Sequence, residues 1–237
     1  SVITIIAGIA AWCVLSNEDG GENTEILSFA SSIKEIISVL KMPAVWLIAV
    51  VVLAAYSAYW GAYRFTSYST DIFSLSVIAA GAISIGKMVM SPPSALIAGF
   101  VSDKVGIAKS IIVLFVVLIV SFVIFAFLPG IPAFLPVMLI NVAIASFAIF
   151  ALRAIYYALL EEGGIPVVVT GTATGFISMI GFTPDIFMPL LGGILLDSMP
   201  TIEGYRAFFI CVAVICGLGL AASIFLYRIA LERKKNG

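Results

Sequence analysis

Gly99-Phe100-Val101-Ser102-Asp103-Lys104-Val105-Gly106 is a short charged turn set between two long apolar runs, 76–99 and 110–128. An acid, a base and two glycines in that place read as a connection at a membrane surface. A helix takes about 20 apolar residues to cross the hydrocarbon core, and both flanking runs reach that length. Outward from them, 44–65, 133–158, 167–196 and 205–228 reach it too, and 1–15 is a shorter seventh run. The runs are continuous rather than alternating, which argues against a β-barrel. The chain is 62% hydrophobic and 11% charged, with a mean hydropathy of +1.22. At 237 residues that composition cannot furnish the polar surface of a soluble domain. The fold class is all-α: a polytopic membrane protein with a six-helix transmembrane bundle and a partial helix at the N-terminus.

Several function classes drop out. The net charge of −1 points to no charged partner, and no nucleic-acid partner is expected. There is no histidine, so no imidazole can shuttle protons or bind a metal. Cys13, Cys211 and Cys216 lie inside apolar runs without metal-ligand or disulfide spacing, and read as small buried hydrophobes. No paired catalytic carboxylates and no nucleophile–histidine pair can be found. An enzyme is therefore not expected, nor is a cofactor or a metal. The N-terminus lacks the positive region of a signal peptide. Ser1 starts in the middle of apolar sequence, as the second part of a longer chain cut inside a helix would.

Residues 17–43 form the one long polar connection. Asn17 to Glu25 is acidic and contains glycine. Ile26, Phe29, Ile33, Ile36, Ile37 and Leu40 then recur at helical spacing, with Lys34, Glu35 and Lys41 on the other side. That pattern predicts an amphipathic helix at the membrane interface. Pro43 opens the next span, where its missing N–H costs nothing. With this segment in the cytoplasm, Lys34, Lys41, Lys104, Lys109, Arg228, Arg233, Lys234 and Lys235 all fall on that side, against Arg206 outside. The positive-inside rule favours that orientation. It also places the loop 161–166 in the cytoplasm and 66–75, 129–132 and 197–204 outside.

The turn at 99–106 resembles the cytoplasmic loop motif of the major facilitator superfamily: glycine, any, leucine, alanine, aspartate, arginine, any, glycine, then two basic residues. Gly99, Asp103, Lys104 and Gly106 match. Ile107 and Ala108 stand where the last two basic residues usually are, and Lys109 comes one place late. Gly171-Thr-Ala-Thr-Gly175, and Pro184-Asp185 through Gly192-Gly193, resemble the penultimate helix of bacterial members that carry sugar acids and sugar phosphates. The resemblance implies four parts. Residues 1–16 would end the last helix of a missing N-terminal half, 17–43 would be the central linker, 44–230 the C-terminal six-helix bundle, and 231–237 a basic cytoplasmic tail. It further implies that Gly99, Asp103, Lys104 and Gly106 latch one conformation, with Asp103 near a helix N-terminus or a basic residue.

Charges inside a bilayer are costly and normally face a water-filled path or a partner. Lys87 is close to mid-span, Arg153 lies toward the cytoplasmic side, Asp185 toward the outer part of its span, and Arg64 near an outer end where it could snorkel. Ser84, Lys87, Ser91 and Ser94 share a helical face, as do Thr174, Ser178, Gly181 and Asp185. Phe150, Arg153, Tyr156 and Tyr157 make a third, and Tyr56, Tyr59, Trp60 and Tyr63 form an aromatic stripe leading to Arg64. Lys87, Arg153, Tyr56, Tyr157 and Arg64 are the candidate substrate contacts, and Asp185 the candidate coupling residue. An internal ion pair of Lys87 or Arg64 with Asp185 is the purely structural alternative. Gly171 and Gly175, four apart, permit close helix contact. Pro184, Pro189, Gly181, Gly192 and Gly193 predict a kinked or broken helix.

The expected function is secondary active transport of a small organic solute by alternating access. Two or three buried cations against one acid suggest an anion such as a sugar acid or sugar phosphate. The expected partners are that substrate, the lipid bilayer of the bacterial cytoplasmic (inner) membrane, and the missing half. A non-transporting scaffold or partner subunit is the alternative; its mark would be buried charges that all pair internally.

Overall fold

The computed structural model describes residues 29–236. The partial helix expected at 1–16, with Cys13, and the acidic start of the linker lie outside them. The first compact unit, Ser1–Ile37, contributes to the description only the start of α1 (Phe29–Leu40), within the stretch expected to be amphipathic. The second, Ser38–Gly237, holds the bundle.

Among the described residues every regular element is helical. They are α2 (Pro43–Phe73), α3 (Val77–Val105), α4 (Ile107–Phe127), α5 (Leu135–Ile155), α6 (Leu159–Glu162), α7 (Thr170–Gly181), α8 (Pro184–Ser198) and α9 (Thr201–Asn236). Five segments are long and apolar enough to cross a membrane: Pro43–Phe73, Ile107–Phe127, Pro132–Glu162, Val167–Ser198 and Thr201–Arg233. α3 is a sixth long helix. Its 29 residues extend about 44 Å at 1.5 Å each, enough to span, but Lys87, its serines and Pro92–Pro93 make it more polar. The chain is a polytopic helical membrane bundle, as its composition requires.

Local chemistry sets the boundaries. Pro43 stands in the first turn of α2, where no donor is lost. Ser76 caps α3 by accepting the Ala79 N–H at 3.3 Å. Gly106 separates α3 from α4 with φ +103°, a conformation that disfavours any side chain. The penultimate span breaks between Gly181 and Pro184, where the sequence predicts it. Thr183 donates both its backbone N–H, at 3.1 Å, and its hydroxyl, at 2.7 Å, to the Ile180 carbonyl at the break.

Helix association in lipid rests on van der Waals fit and small residues more than on hydrophobic burial. α9 packs against both α2 and α4, while α5 packs against α3 and α4. Phe65, Tyr68, Phe122, Phe125, Tyr205 and Phe209 form a continuous buried aromatic cluster across α2, α4 and α9. Gly61 admits the Phe122 ring: a Cβ there would stand 2.8 Å from it. Gly219 on α9 lies equally close to Ala54 and Phe115. Gly171 and Gly175 behave differently from their spacing, because a Cβ at either would meet nothing within 4 Å. Their small-residue face is turned away from the other described residues. Gly181, not singled out for contact, is the glycine of α7 whose missing side chain lets Val52 of α2 come close.

The connections fall at two ends of the bundle. At one, Gly106, Lys109, Glu162, Tyr227 and Leu231 meet. At the other, Gly130 packs on Ile72 and the Tyr205 hydroxyl donates to Asp71 at 2.7 Å. Successive spans therefore alternate in direction.

Candidate functional site

The aromatic stripe of α2 organises the intramembrane charges. Tyr56, Tyr59, Trp60 and Tyr63 follow one another at three- and four-residue spacing and present one side of the helix. Their rings touch in sequence, with Tyr59–Tyr63 and Trp60–Tyr63 centroids each 5.1 Å apart, and the Tyr59 and Tyr63 hydroxyls share a hydrogen bond of 3.0 Å. Neighbouring helices deliver the charges onto this wall.

Lys87 reaches from α3 to the Ala62 carbonyl of α2 at 2.6 Å, with its ammonium 5.7 Å from the Phe65 ring centre. Beside it Thr66 and Ser84 hydroxyls bond each other at 2.6 Å. Arg153, from α5, lays its guanidinium 4.0 Å from the centre of the Tyr59 ring and 5.7 Å from that of Tyr56. Its buried Nε donates no hydrogen bond among the described residues. Such a cation is held by the ring face while keeping donor capacity in reserve. Asp185 sits in the first turn of α8, where a helix N-terminus favours an anion. Its two oxygens accept from Trp60 Nε1 at 2.8 Å and, more weakly, from the Tyr56 hydroxyl at 3.4 Å.

Beside Lys87 lies a cavity of about 190 Å³ lined by Tyr59, Tyr63, Thr66, Ser84, Lys87 and Phe150, among others; Arg153 stacks on Tyr59, one of its lining residues. It has an aromatic wall of edge-on rings, a cation, and the hydroxyls of Thr66 and Ser84 beside those of the tyrosines. Lys87, Arg153, Tyr56 and Tyr59 are half-buried, whereas Tyr63 and Asp185 are exposed. The wall is open on the side away from the bundle.

Other candidates lie elsewhere. Arg64 is one residue, about 100°, around α2 from Tyr63. Its guanidinium lies against Gly192 of α8 and 5.8 Å from the Phe208 ring centre, so the structure does not bring it to the cavity. Tyr157 lies in a 3₁₀ turn after α5 and shares a hydrogen bond of 2.7 Å with Ser178 of α7. It ties two helices together beside the wall. Ser94 is buried and donates to its own helix at the Met90 carbonyl, so the serine face of α3 contributes only Ser84 and Lys87 to the cavity.

At the charged turn, Asp103 and Lys104 stand exposed on the last turn of α3. A Cβ on Gly99 would meet nothing within 4 Å. The helix N-terminus beside them is occupied by a residue that sequence reasoning passed over. Glu162, at the end of α6, accepts the Ile107 and Ala108 N–H groups at 2.9 Å each, one per carboxylate oxygen. This charge-assisted cap satisfies two free donors of α4. Acid–base spacing could not reveal it, because the partners are 55 and 54 residues apart. Glu162→Ala removes both acceptors. It is expected to lower stability by about 1–2 kcal/mol, the scale of a lost N-cap, and to accelerate hydrogen exchange of the Ile107 and Ala108 amides. Exchange at the Tyr205 end of the bundle should be unchanged. Equal exchange in mutant and wild type would mean that the cap contributes nothing.

The chain is similar to two proteins of Escherichia coli strain K12. It is 31% identical over 247 residues to inner membrane protein YihN, covering all of this chain and 57% of that protein. It is 25% identical over 236 residues to inner membrane protein YqcE, covering 96% of this chain and 55% of that protein. The chain thus spans a little over half the length of each of these curated relatives. No protein-family model matches it. Both relatives are inner membrane proteins, in agreement with the helical spans of the structure and with the membrane expected from sequence.

Proposed function

We propose that the chain is one half of a secondary active transporter of the major facilitator type. It moves a small organic anion, such as a sugar acid or sugar phosphate, by alternating access. One observation carries the proposal. Lys87, Arg153 and Asp185 gather on one open wall, and each is held by neutral groups: a backbone carbonyl, a tyrosine face, and an indole with a phenol. An internal ion pair, or the mutually paired charges of a mere scaffold, would use these groups on one another. Held apart, the cations remain available to an anionic substrate and the carboxylate to a proton.

The geometry supports the following roles. The Tyr59–Tyr63–Phe150 surface would receive the apolar face of a sugar ring, Thr66 and Ser84 its hydroxyls, and Lys87 with Arg153 its acidic group. Asp185, at the start of a half-helix, would carry the coupling proton in symport. The open side of the wall would be covered by the missing N-terminal half, two bundles rocking about a shared site. Support for this comes from the span through α7 and α8, of which only 22% of the most apolar window is buried within the chain.

Proteoliposomes carrying the protein together with the covering half test the reading. Radiolabelled sugar acids should accumulate when a pH gradient is imposed. Asp185→Asn keeps the hydrogen-bonding shape, and should lose gradient-driven accumulation while retaining substrate exchange across the membrane. Failure of every anionic sugar to exchange would defeat the transport reading. Accumulation that survives in Asp185→Asn would remove the coupling role.

A further inference from the structure

A second cavity lies away from the candidate wall. It is a groove of about 300 Å³ between α3 and α4, floored by α5. Ile97, Val101 and Val105 line one side, Val113 the other, and Phe147 and Ala151 the bottom. On α5 these floor residues occupy a different face from Phe150 and Arg153, so the two cavities do not merge. The lining is apolar except for Ser110, whose hydroxyl is already given to the Gly106 carbonyl at 3.0 Å. Water needs two or more polar partners to stay in such a space, and here it finds none. At about 30 Å³ for a group the size of water, the volume holds on the order of ten methylenes. Ile97, Val101, Val105 and Val113 are each about half exposed, so the groove opens on the outer surface of the bundle.

One end of the groove is cationic. Lys104 stands three residues after Val101 and seven after Ile97, on the same face of α3. Lys109 stands four residues before Val113, on the same face of α4. Asp103 is two residues from both Val101 and Val105, and so points to the opposite side of α3. Both lysines are exposed, and the Lys109 ammonium lies 5.7 Å from the centre of the Tyr227 ring. Glu162, which lines a small adjoining pocket together with Lys109 and Tyr227, accepts two backbone N–H groups of α4.

We infer that this groove is a binding site for a single anionic phospholipid, whose acyl chain fills the α3–α4 groove and whose headgroup meets Lys104 and Lys109. The apolar interior matches a hydrocarbon chain, and the two ammonium groups at its end match a phosphate ester at the depth where such groups sit.

Native mass spectrometry of the protein released from nanodiscs of mixed phosphatidylglycerol and phosphatidylcholine tests this. The wild type should retain phosphatidylglycerol in preference to phosphatidylcholine. Lys104→Gln with Lys109→Gln should reduce that preference by about fivefold per lysine and leave phosphatidylcholine retention as it was. Ala151→Leu, which narrows the floor, should reduce retention of both lipids. If that variant fails to fold, the lysine pair, on exposed positions, still decides the matter. Equal retention of the two lipids by the wild type overturns the inference, as does an unchanged preference after neutralising the lysines. Spectra in which a second copy of the chain replaces retained lipid overturn it as well.

Discussion

Lys87→Ala and Arg153→Ala should each lower uptake of an anionic substrate by about 10- to 100-fold, the range that follows from losing one charge-assisted hydrogen bond, with little change in the amount of protein in the membrane. The two side chains are held by few partners, so little packing is lost with them. Lys87 has one backbone carbonyl and an aromatic neighbour; Arg153 has the tyrosine faces and a buried Nε without a hydrogen bond among the described residues. Conservative variants separate charge from shape. Arg153→Lys keeps the charge but loses the planar group that stacks on Tyr59, and should recover only part of the activity. Arg64→Ala serves as contrast, since its guanidinium lies on Gly192 and Phe208 away from the cavity; it should affect stability more than substrate affinity. Normal uptake by both alanine variants would leave the wall a packing surface.

The largest expected effect on stability comes from Gly219. A methyl group placed there would stand 2.5 Å from the Ala54 Cβ and 2.5 Å from the Phe115 ring. Both neighbours are fully buried, and neither can swing aside. Gly219→Ala should destabilise the bundle by about 1–3 kcal/mol, the usual penalty for overpacking, and Gly219→Val by more. Gly217 lies two residues earlier on the same helix, and a Cβ there meets nothing within 4 Å. Gly217→Ala should be neutral or stabilising by up to about 1 kcal/mol through helix propensity alone. Thermal unfolding of the purified variants in detergent checks the pair. Equal melting temperatures would show that α9 can shift away from α2 and α4 without cost.

The fold was legible because a lipid-spanning helix must satisfy its own backbone hydrogen bonds, so an apolar run of sufficient length has few other structures to adopt. Run lengths marked the core of each span but not the ends. The stretch read as 44–65 continues helical to Phe73, and that read as 205–228 begins at Thr201 and extends to Asn236. Beyond the hydrocarbon the ladder persists on polar residues, whose hydropathy carries no such signal. The aromatic stripe was legible as a helical face and Lys87 and Arg153 as intramembrane charges, but their meeting on that stripe was not, because it depends on how α3 and α5 pack against α2. Arg64 was joined to the stripe because it follows Tyr63 in sequence, yet one residue of helix rotation carries it to α8 and α9. For Gly171 and Gly175, spacing reveals a small-residue face but not whether a partner within the same chain uses it. Asp103 drew attention because it sits in the turn, whereas the carboxylate that holds the turn comes from Glu162 in another loop.

That cap has a consequence for biogenesis. Ile107 and Ala108 leave the ribosome some 55 residues ahead of Glu162, an interval of about 3–11 s at ordinary rates of translation. During that interval α3 and α4 can enter the bilayer as a hairpin, but the donors at its hinge have only water to satisfy them. The hinge closes when α5 has been inserted and α6 emerges behind it. The fourth span and the short helix behind it thus set the second and third spans in place, and a nascent chain stalled before residue 162 would hold an inserted hairpin with an unfastened turn.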